Sequence, residues 1–181
     1  MIERFFNGDV AVFQPKVFQD QRGFFFESYN SQRFDEIVSK KVNFVQDNHS
    51  QSMKGVLRGV HYQRPPFEQA KLVRVVSGSV IDLAVDLRIG SATFGHHIMV
   101  ELNEVNKKQI WIPEGFGHAF LSLEDNTEVL YKTTCFYSAD HEVSVYFKDR
   151  DLNVNWPQTD VKLSEKDRLG LSLMEFKRLM T

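Results

Sequence analysis

Residues 71–88 read KLVRVVSGSVIDLAVDLR. In the second half of this run Leu83, Val85 and Leu87 point one way while Asp82, Ala84 and Asp86 point the other, a period of two that marks a strand and predicts one buried face. Lys71 to Val76 is rich in β-branched residues, which suit a pleated surface, and Ser77-Gly78-Ser79 between the two runs carries turn chemistry. The pattern extends outward. His97 to Leu102, Gln109 to Ile112 and Thr127 to Phe136 are β-branched or aromatic, Val143, Val145 and Phe147 alternate, and Arg88-Ile89-Gly90-Ser91 and Pro113-Glu114-Gly115 punctuate them. Short strands separated by turns at roughly 8–12 residues describe a sandwich or small barrel.

Helical spacing is confined to Ser31 to Ser39, with Phe34, Ile37 and Val38 on one side, and to the tail from Ser164 to Met180. In the tail Ser164 precedes Asp167 by three positions, an N-cap with a first-turn acid. Gly170 interrupts it, which predicts a short helix, a break and a second short helix. No repeat, low-complexity tract or linker divides the chain. The expectation is one all-β domain over residues 1–181, with a few short helices and a helical tail.

The chain has 181 residues, 42% apolar and 25% charged, an ordinary globular composition that argues against disorder and fibrous repeats. A domain of this length buries roughly 70% of its unfolded surface, enough for a core without disulfides or a structural metal. The one cysteine, Cys135, can form no internal bridge. No run approaches the roughly 20 apolar residues of a membrane helix, and Met1 to Asp9 lacks the apolar centre of a signal peptide, so a cytoplasmic protein without a membrane partner is expected. Lys and Arg number 22 against 24 Asp and Glu, a formal charge of −2. With no basic stripe, nucleic acid is not an expected partner. The 16 Phe, 5 Tyr and 2 Trp point to thick aromatic packing, a stacking site, or both.

Two histidine segments stand out. Gly55-x5-His61 is placed ahead of a strand and Pro113-x-Gly115-x2-His118 on the turn that opens another; the pair resembles the two signature stretches of the cupin jelly-roll barrel. In that superfamily the first stretch continues His-x-His with a glutamate after it, giving a metal three ligands, and the second histidine segment gives a fourth. Here Gln63 occupies the second histidine position and Glu68 is only a loosely spaced candidate. Zinc and iron sites need at least three well-placed ligands, so neither metal nor another cofactor is expected. A histidine at a barrel mouth without a metal suits a general base, its ordinary pKa lying near 6.5; two histidines hydrogen-bonded inside a barrel fit the same residues. Arg58 stands three positions before His61, which in an extended strand sends the two to opposite faces unless Gly59 permits a break. With that break, Arg58 and Lys71 make an anion clamp or enolate stabiliser beside the base.

The resemblance then becomes specific. FxDxRGFFFE (Phe18 to Glu27), VQDNHSxS (Val45 to Ser52), GVLRGxHYQ (Gly55 to Gln63), KLVRVVSGSVxDxAVDLR (Lys71 to Arg88), SxTFG (Ser91 to Gly95), WIPEGFxH (Trp111 to His118), YKTTxxY (Tyr131 to Tyr137) and LSEKD (Leu163 to Asp167) resemble the dTDP-4-dehydrorhamnose 3,5-epimerase family, in family order over nearly the whole chain. The resemblance implies a cupin-like homodimer that epimerises C3 and C5 of a dTDP-4-keto-6-deoxyhexose without metal, on the way to dTDP-L-rhamnose. It implies His61 as proton acceptor, paired with Asp167, and Tyr131 as proton donor. Tyr137 would stack on thymine, and Arg22, Glu27, Gln46, Asp47, Asn48, Arg58, Lys71, His118, Glu142 and Lys166 fall on substrate-contacting positions.

These residue types suit the reaction. Removing the C–H proton beside a ketone leaves an enolate, which needs a base on one face, an acid on the other and a cation at the oxygen. His61 backed by Asp167 supplies the base, Tyr131 with a free pKa near 10 the acid, and Lys71 the cation. Arg22, beside the Gly23 turn, is the choice for the pyrophosphate, because a guanidinium fork matches phosphate oxygens. Tyr131 and Tyr137, six apart on a strand pattern, share a face, which fits a pocket or a core; Asp167 in a first helical turn also fits a cap. Trp111, Phe116, Phe120 and Phe24 to Phe26 read as core or dimer packing, and the stretch Phe5 to Phe13 as a strand able to pair across an interface. Gly117-His118-Ala119 and Lys148 to Asp151 depart from the family pattern and bear on the pocket rim. A single-carbon epimerase, a sugar-nucleotide binding module and a metal-dependent cupin are the alternatives.

Overall fold

The alternating run around Asp82 forms a strand, Ser79–Asp86, that is buried on both faces instead of the one expected. Leu83 and Val85 join an outer cluster with Trp156 and Phe176, while Val80 and Ala84 join an inner one with Val73 and Phe120. Single-sided burial was the wrong inference because the C-terminal tail covers the face that an uncovered sheet would leave to water.

The computed structural model describes residues 2–181. In chain order the elements are β1 (Ile2–Phe5), β2 (Val10–Phe13), β3 (Phe18–Asp20), β4 (Gly23–Phe25), α1 (Ser31–Val38), β5 (Gln46–Ser52), β6 (Leu57–Gln63), β7 (Lys71–Ser77), β8 (Ser79–Asp86), β9 (His97–Asn103), β10 (Gln109–Ile112), β11 (Phe116–Ser122), β12 (Thr127–Thr133), β13 (Glu142–Ser144), α2 (Glu165–Arg168) and α3 (Leu173–Met180). They build one sheet in the order β1-β2-β10-β7-β12-β5, a second in the order β13-β6-β11-β8-β9, and the separate hairpin β3-β4. Every ladder is antiparallel, and the two large sheets face each other as a jelly-roll sandwich. Among the described residues no helix is long and apolar enough to cross a membrane.

Several expected boundaries move. The stretch Phe5 to Phe13 is not one strand: it turns at Phe6–Gly8, and β2 lies inside its sheet between β1 and β10. The run from Thr127 ends at Thr133 instead of Phe136. His61 and His118 sit within β6 and β11 as direct partners, not ahead of a strand or on a turn.

Both helical regions form. Asn30 caps α1 by accepting from the Arg33 N–H at 3.2 Å, Ser39 closes it in a left-handed conformation, and Phe34 seats it against Phe13, Leu72 and Trp111 on the outer face of the first sheet. The tail breaks at Gly170 because a Cβ there would stand 2.8 Å from the Tyr146 nitrogen, where Leu171 pairs with Val145. A Ser172–Glu175 capping box starts α3. The buried Phe176 ring meets Tyr62 edge-on at 5.1 Å, fastening the tail to β6. Truncating Phe176 to Ala would remove about 3–5 kcal/mol of stability.

Candidate active site

Along the inner faces of the sandwich the residue rows change from apolar to polar. On β7 the row runs Val75, Val73, Lys71, and on β12 it runs Val129, Tyr131; the valines close one end of the interior as core. The polar end encloses a cavity of about 260 Å³. Ser50, Lys71 and Tyr131 line it from the first sheet, and Arg58, His61, Phe116, His118 and Phe120 from the second, with Tyr137, Glu142 and Lys166 at the mouth. His61 and Tyr131 therefore project toward one space from opposing walls.

Arg58 and His61 share this wall because of a bulge. Opposite β11, His61 pairs with His118 but Arg58 with Phe120, so three residues of β6 pass two of its neighbour. Gly59 makes this possible: its φ is +111°, and a Cβ would lie 2.4 Å from the His118 carbonyl oxygen. Arg58 is steadied by bonds from Nε to Ser52 at 3.1 Å and from Nη2 to the Gln51 carbonyl at 3.0 Å.

His61 Nε2 lies 2.7 Å from Oδ1 of Asp167. Burial pushes the His61 pKa down, against the upward pull of Asp167, and the net is below the ordinary value; Lys71 and Lys166 push the same way. The ring is thus held neutral at pH 7. Asp167, 2% exposed, accepts from Ser164 at 2.8 Å and from Ser144 at 3.4 Å. Burial alone would raise its pKa, but His61, Ser164 and Lys166 outweigh that and lower it. Asp167 thus does more than cap: Ser164 caps α2, and the turn aims the carboxylate at His61.

Burial lowers Lys71 to about 8, with Glu142 and Asp82 pulling upward and Lys166 downward. Its Nζ sits 5.8 Å from the centre of the Tyr131 ring. Burial raises the Tyr131 phenol, partly offset by Arg58, so it keeps its proton. At the mouth the Tyr137 hydroxyl donates to Glu142 at 2.8 Å, and Lys166 reaches the same carboxylate at 2.7 Å. Burial pulls Glu142 up, but Lys166 and Tyr137 outweigh it and hold it below the ordinary range.

The remaining expected residues divide. Gln46 and Asn48 occupy the same row of β5 as Ser50 and bond to each other at 2.9 Å. Tyr137 reaches the cavity although its loop lies past the end of β12, so strand alternation is not what aligns it with Tyr131. Asp47 lies on the outer face, bonded to Lys132 at 2.9 Å. Glu27 pairs with Arg33 beside α1. Arg22 stands on the β3–β4 hairpin, 90% exposed and bonded to Asp20. Within one copy of the chain none of these five, Arg22, Glu27, Gln46, Asp47 and Asn48, lines the cavity. Phe116 and Phe120, read as packing, line it as well as filling the core.

Sequence reading missed Asp82. It is fully buried, receives His118 Nε2 at 2.9 Å, and its Oδ1 has no partner among the described residues. Its signal was an acid set between Val80 and Ala84 in the inward row of the strand. Among the described residues no three His, Cys, Asp or Glu side chains converge in a way that could hold a metal ion. What converges is a carboxylate-backed imidazole facing a phenol, with an ammonium beside the phenol, an arrangement able to move protons on and off carbon.

The sequence model of the dTDP-4-dehydrorhamnose 3,5-epimerase family matches residues 8–175. A dTDP-4-dehydrorhamnose 3,5-epimerase of Shigella flexneri is 52% identical over 167 residues, 92% of either chain. Among solved structures, the Legionella pneumophila epimerase in complex with dTDP-4-keto-L-rhamnose superimposes with a TM-score of 0.92 at 42% identity, covering 96% of this chain and 93% of the other. A 3'-monoepimerase of Streptomyces bikiniensis in complex with dTDP-quinovose gives 0.91 at 32% identity, covering 97% and 89%. A cupin-like sandwich with this cavity, matched over nearly its whole length, makes the chain a member of the dTDP-4-dehydrorhamnose 3,5-epimerase family, which are isomerases.

Proposed function

We propose that the cavity epimerises C3 and C5 of dTDP-4-dehydro-6-deoxy-D-glucose to dTDP-4-dehydro-L-rhamnose. The observation that carries this is the placement of His61 and Tyr131 on opposing walls of one cavity. His61 takes the C–H proton beside the ketone, and the electron pair moves onto the ketone oxygen as an enolate. The Lys71 ammonium stabilises that charge in a site of low dielectric. Tyr131 then donates its proton to the opposite face of the carbon, the enolate collapses to the ketone, and solvent restores both groups for the second carbon. Asp167 holds the imidazole in one tautomer and stabilises its cation.

Arg58, His118, Glu142 and Lys166 contact the sugar and phosphates, Gln46 and Asn48 the rim, and Tyr137 stacks on the thymine. Arg22 is assigned to the pyrophosphate through a homodimer: the hairpin that carries it exposes Phe18, Phe24 and Phe25, at 53%, 58% and 67%, an apolar surface suited to cover the mouth of a second copy's cavity. Glu27 and Asp47 are assigned to the substrate only by the family pattern. The cytoplasm is the compartment proposed, as the unpaired Cys135 suits a reducing environment.

Turnover in heavy water, with the product read by NMR, tests the reaction. Deuterium at both C3 and C5 of an L-configured product is expected, and retention of solvent exchange in His61→Ala sinks the mechanism. The likeness to a monoepimerase favours single inversion as the second reading, which deuterium at only one carbon would establish.

A further inference from the structure

Gln63 stands where a cupin metal site has its second histidine, and the chemistry above leaves it unused. It ends β6, 7% exposed. Its carboxamide commits both protons to backbone carbonyls, those of Phe67 and Phe136, the latter at 3.0 Å, and its Oε1 accepts from the Ser138 N–H at 3.0 Å. Phe136 and Ser138 flank Tyr137. Two further side-chain amides hold the same loop: Gln69 Nε2 donates to the Cys135 carbonyl at 2.8 Å, and the Tyr137 N–H donates to Gln46 Oε1 at 3.1 Å. Because β12 ends at Thr133, these main-chain groups have left the ladder, and glutamine side chains satisfy them instead. The bonding admits one orientation only, since a flipped amide would set its oxygen against two carbonyl oxygens.

We propose that Gln63 is a positioning residue, clamping the 135–138 loop so that the Tyr137 ring stands at the cavity mouth to meet the base of a nucleoside diphosphate. This rests on the reading of Tyr137 as the stacking residue. The ring itself is 56% exposed and its hydroxyl is tied to Glu142, so its position is set by the backbone that carries it. A ring fixed beforehand loses less freedom on stacking, which raises affinity for the nucleotide half without touching the sugar carbons.

Gln63→Met keeps the stem and removes all three bonds. Amide exchange over residues 135–138, read by mass spectrometry on the full chain, should quicken about tenfold or more, with the β8–β11 core unchanged. The Kd of dTDP and the KM of the keto sugar should each rise about tenfold, with kcat falling less than about threefold, the scale of one to two net hydrogen bonds. Gln69→Met should move the same quantities less far, and it decides the matter if Gln63→Met does not fold. Loop exchange and KM at wild-type values overturn the proposal, as does a fall in kcat at unchanged KM or a loosened loop with unchanged dTDP affinity. A wild-type chain that exchanges no substrate hydrogen sinks the catalytic reading instead, while the exchange comparison still decides the clamp.

Discussion

His61 Nε2 and Asp167 Oδ1 meet at 2.7 Å from positions 106 residues apart, one in mid-strand and one in the first turn of a four-residue helix. Asp167→Asn preserves the shape but lets the imidazole take either tautomer and removes the counter-charge to its cation. We expect a fall in kcat of about 10²-fold or more, with KM altered far less, and His61→Ala should lose about 10²- to 10⁴-fold. Deuterium wash-in rates check both, and an Asp167→Asn variant within threefold of wild type would assign the carboxylate to capping alone.

The pH profile follows from the two walls. In the proposed reaction His61 must be neutral to accept a proton and Lys71 charged, and burial lowers the His61 pKa, so the acid limb of kcat/KM should lie below the ordinary histidine value. Lys71 must be protonated, so activity should decline as pH rises through about 8. Lys71→Arg should abolish that limb. Asp82→Asn withdraws a negative charge that pulls Lys71 upward and should move the limb to lower pH, whereas Gln51→Ala on the outer surface should leave it in place.

Lys71 opposes folding at the place where the proposed reaction uses it. Its pKa is about 8 in the folded chain against 10.5 when free, so between those values the unfolded chain binds more protons and stability rises with pH. Below pH 8 the buried ammonium destabilises by about 1–3 kcal/mol, after allowance for its partial contact with water. Lys71→Met should therefore raise Tm at pH 7 by several degrees while removing activity, and the gain should shrink toward pH 10. A Lys71→Met variant less stable than wild type at pH 7 contradicts this.

Gly59→Ala tests the bulge. A methyl group at φ +111° would press on the His118 carbonyl, and the strand would have to shift, at about 2–4 kcal/mol. The shift displaces Arg58 relative to His61, so calorimetry should show a lower Tm and the surviving folded fraction should have lost most of its wash-in activity. Full specific activity in the folded fraction would mean that Arg58 does not depend on the bulge.

Local pattern determined a good deal of this protein. The alternation of Leu83, Val85 and Leu87, the turn at Ser77 to Ser79 and the cap at Ser164 rest on interactions within a few residues, which a sequence carries on its face. The motif order also brought His61, Tyr131, Lys71 and Asp167 forward as candidates. Tertiary structure alone decided the rest. Whether the outward row of β8 meets water depended on a tail lying eighty and more positions further along. Whether Arg58 joins His61 depended on a bulge that exists only against β11, and Asp82 became notable only once His118 and Lys71 closed around it. Arg22, Glu27, Gln46, Asp47 and Asn48 match the family motif yet do not line the cavity of their own chain. Strand periodicity tells which way a side chain points. The pairing of distant strands, paid for by burial across the whole sandwich, decides what it then faces.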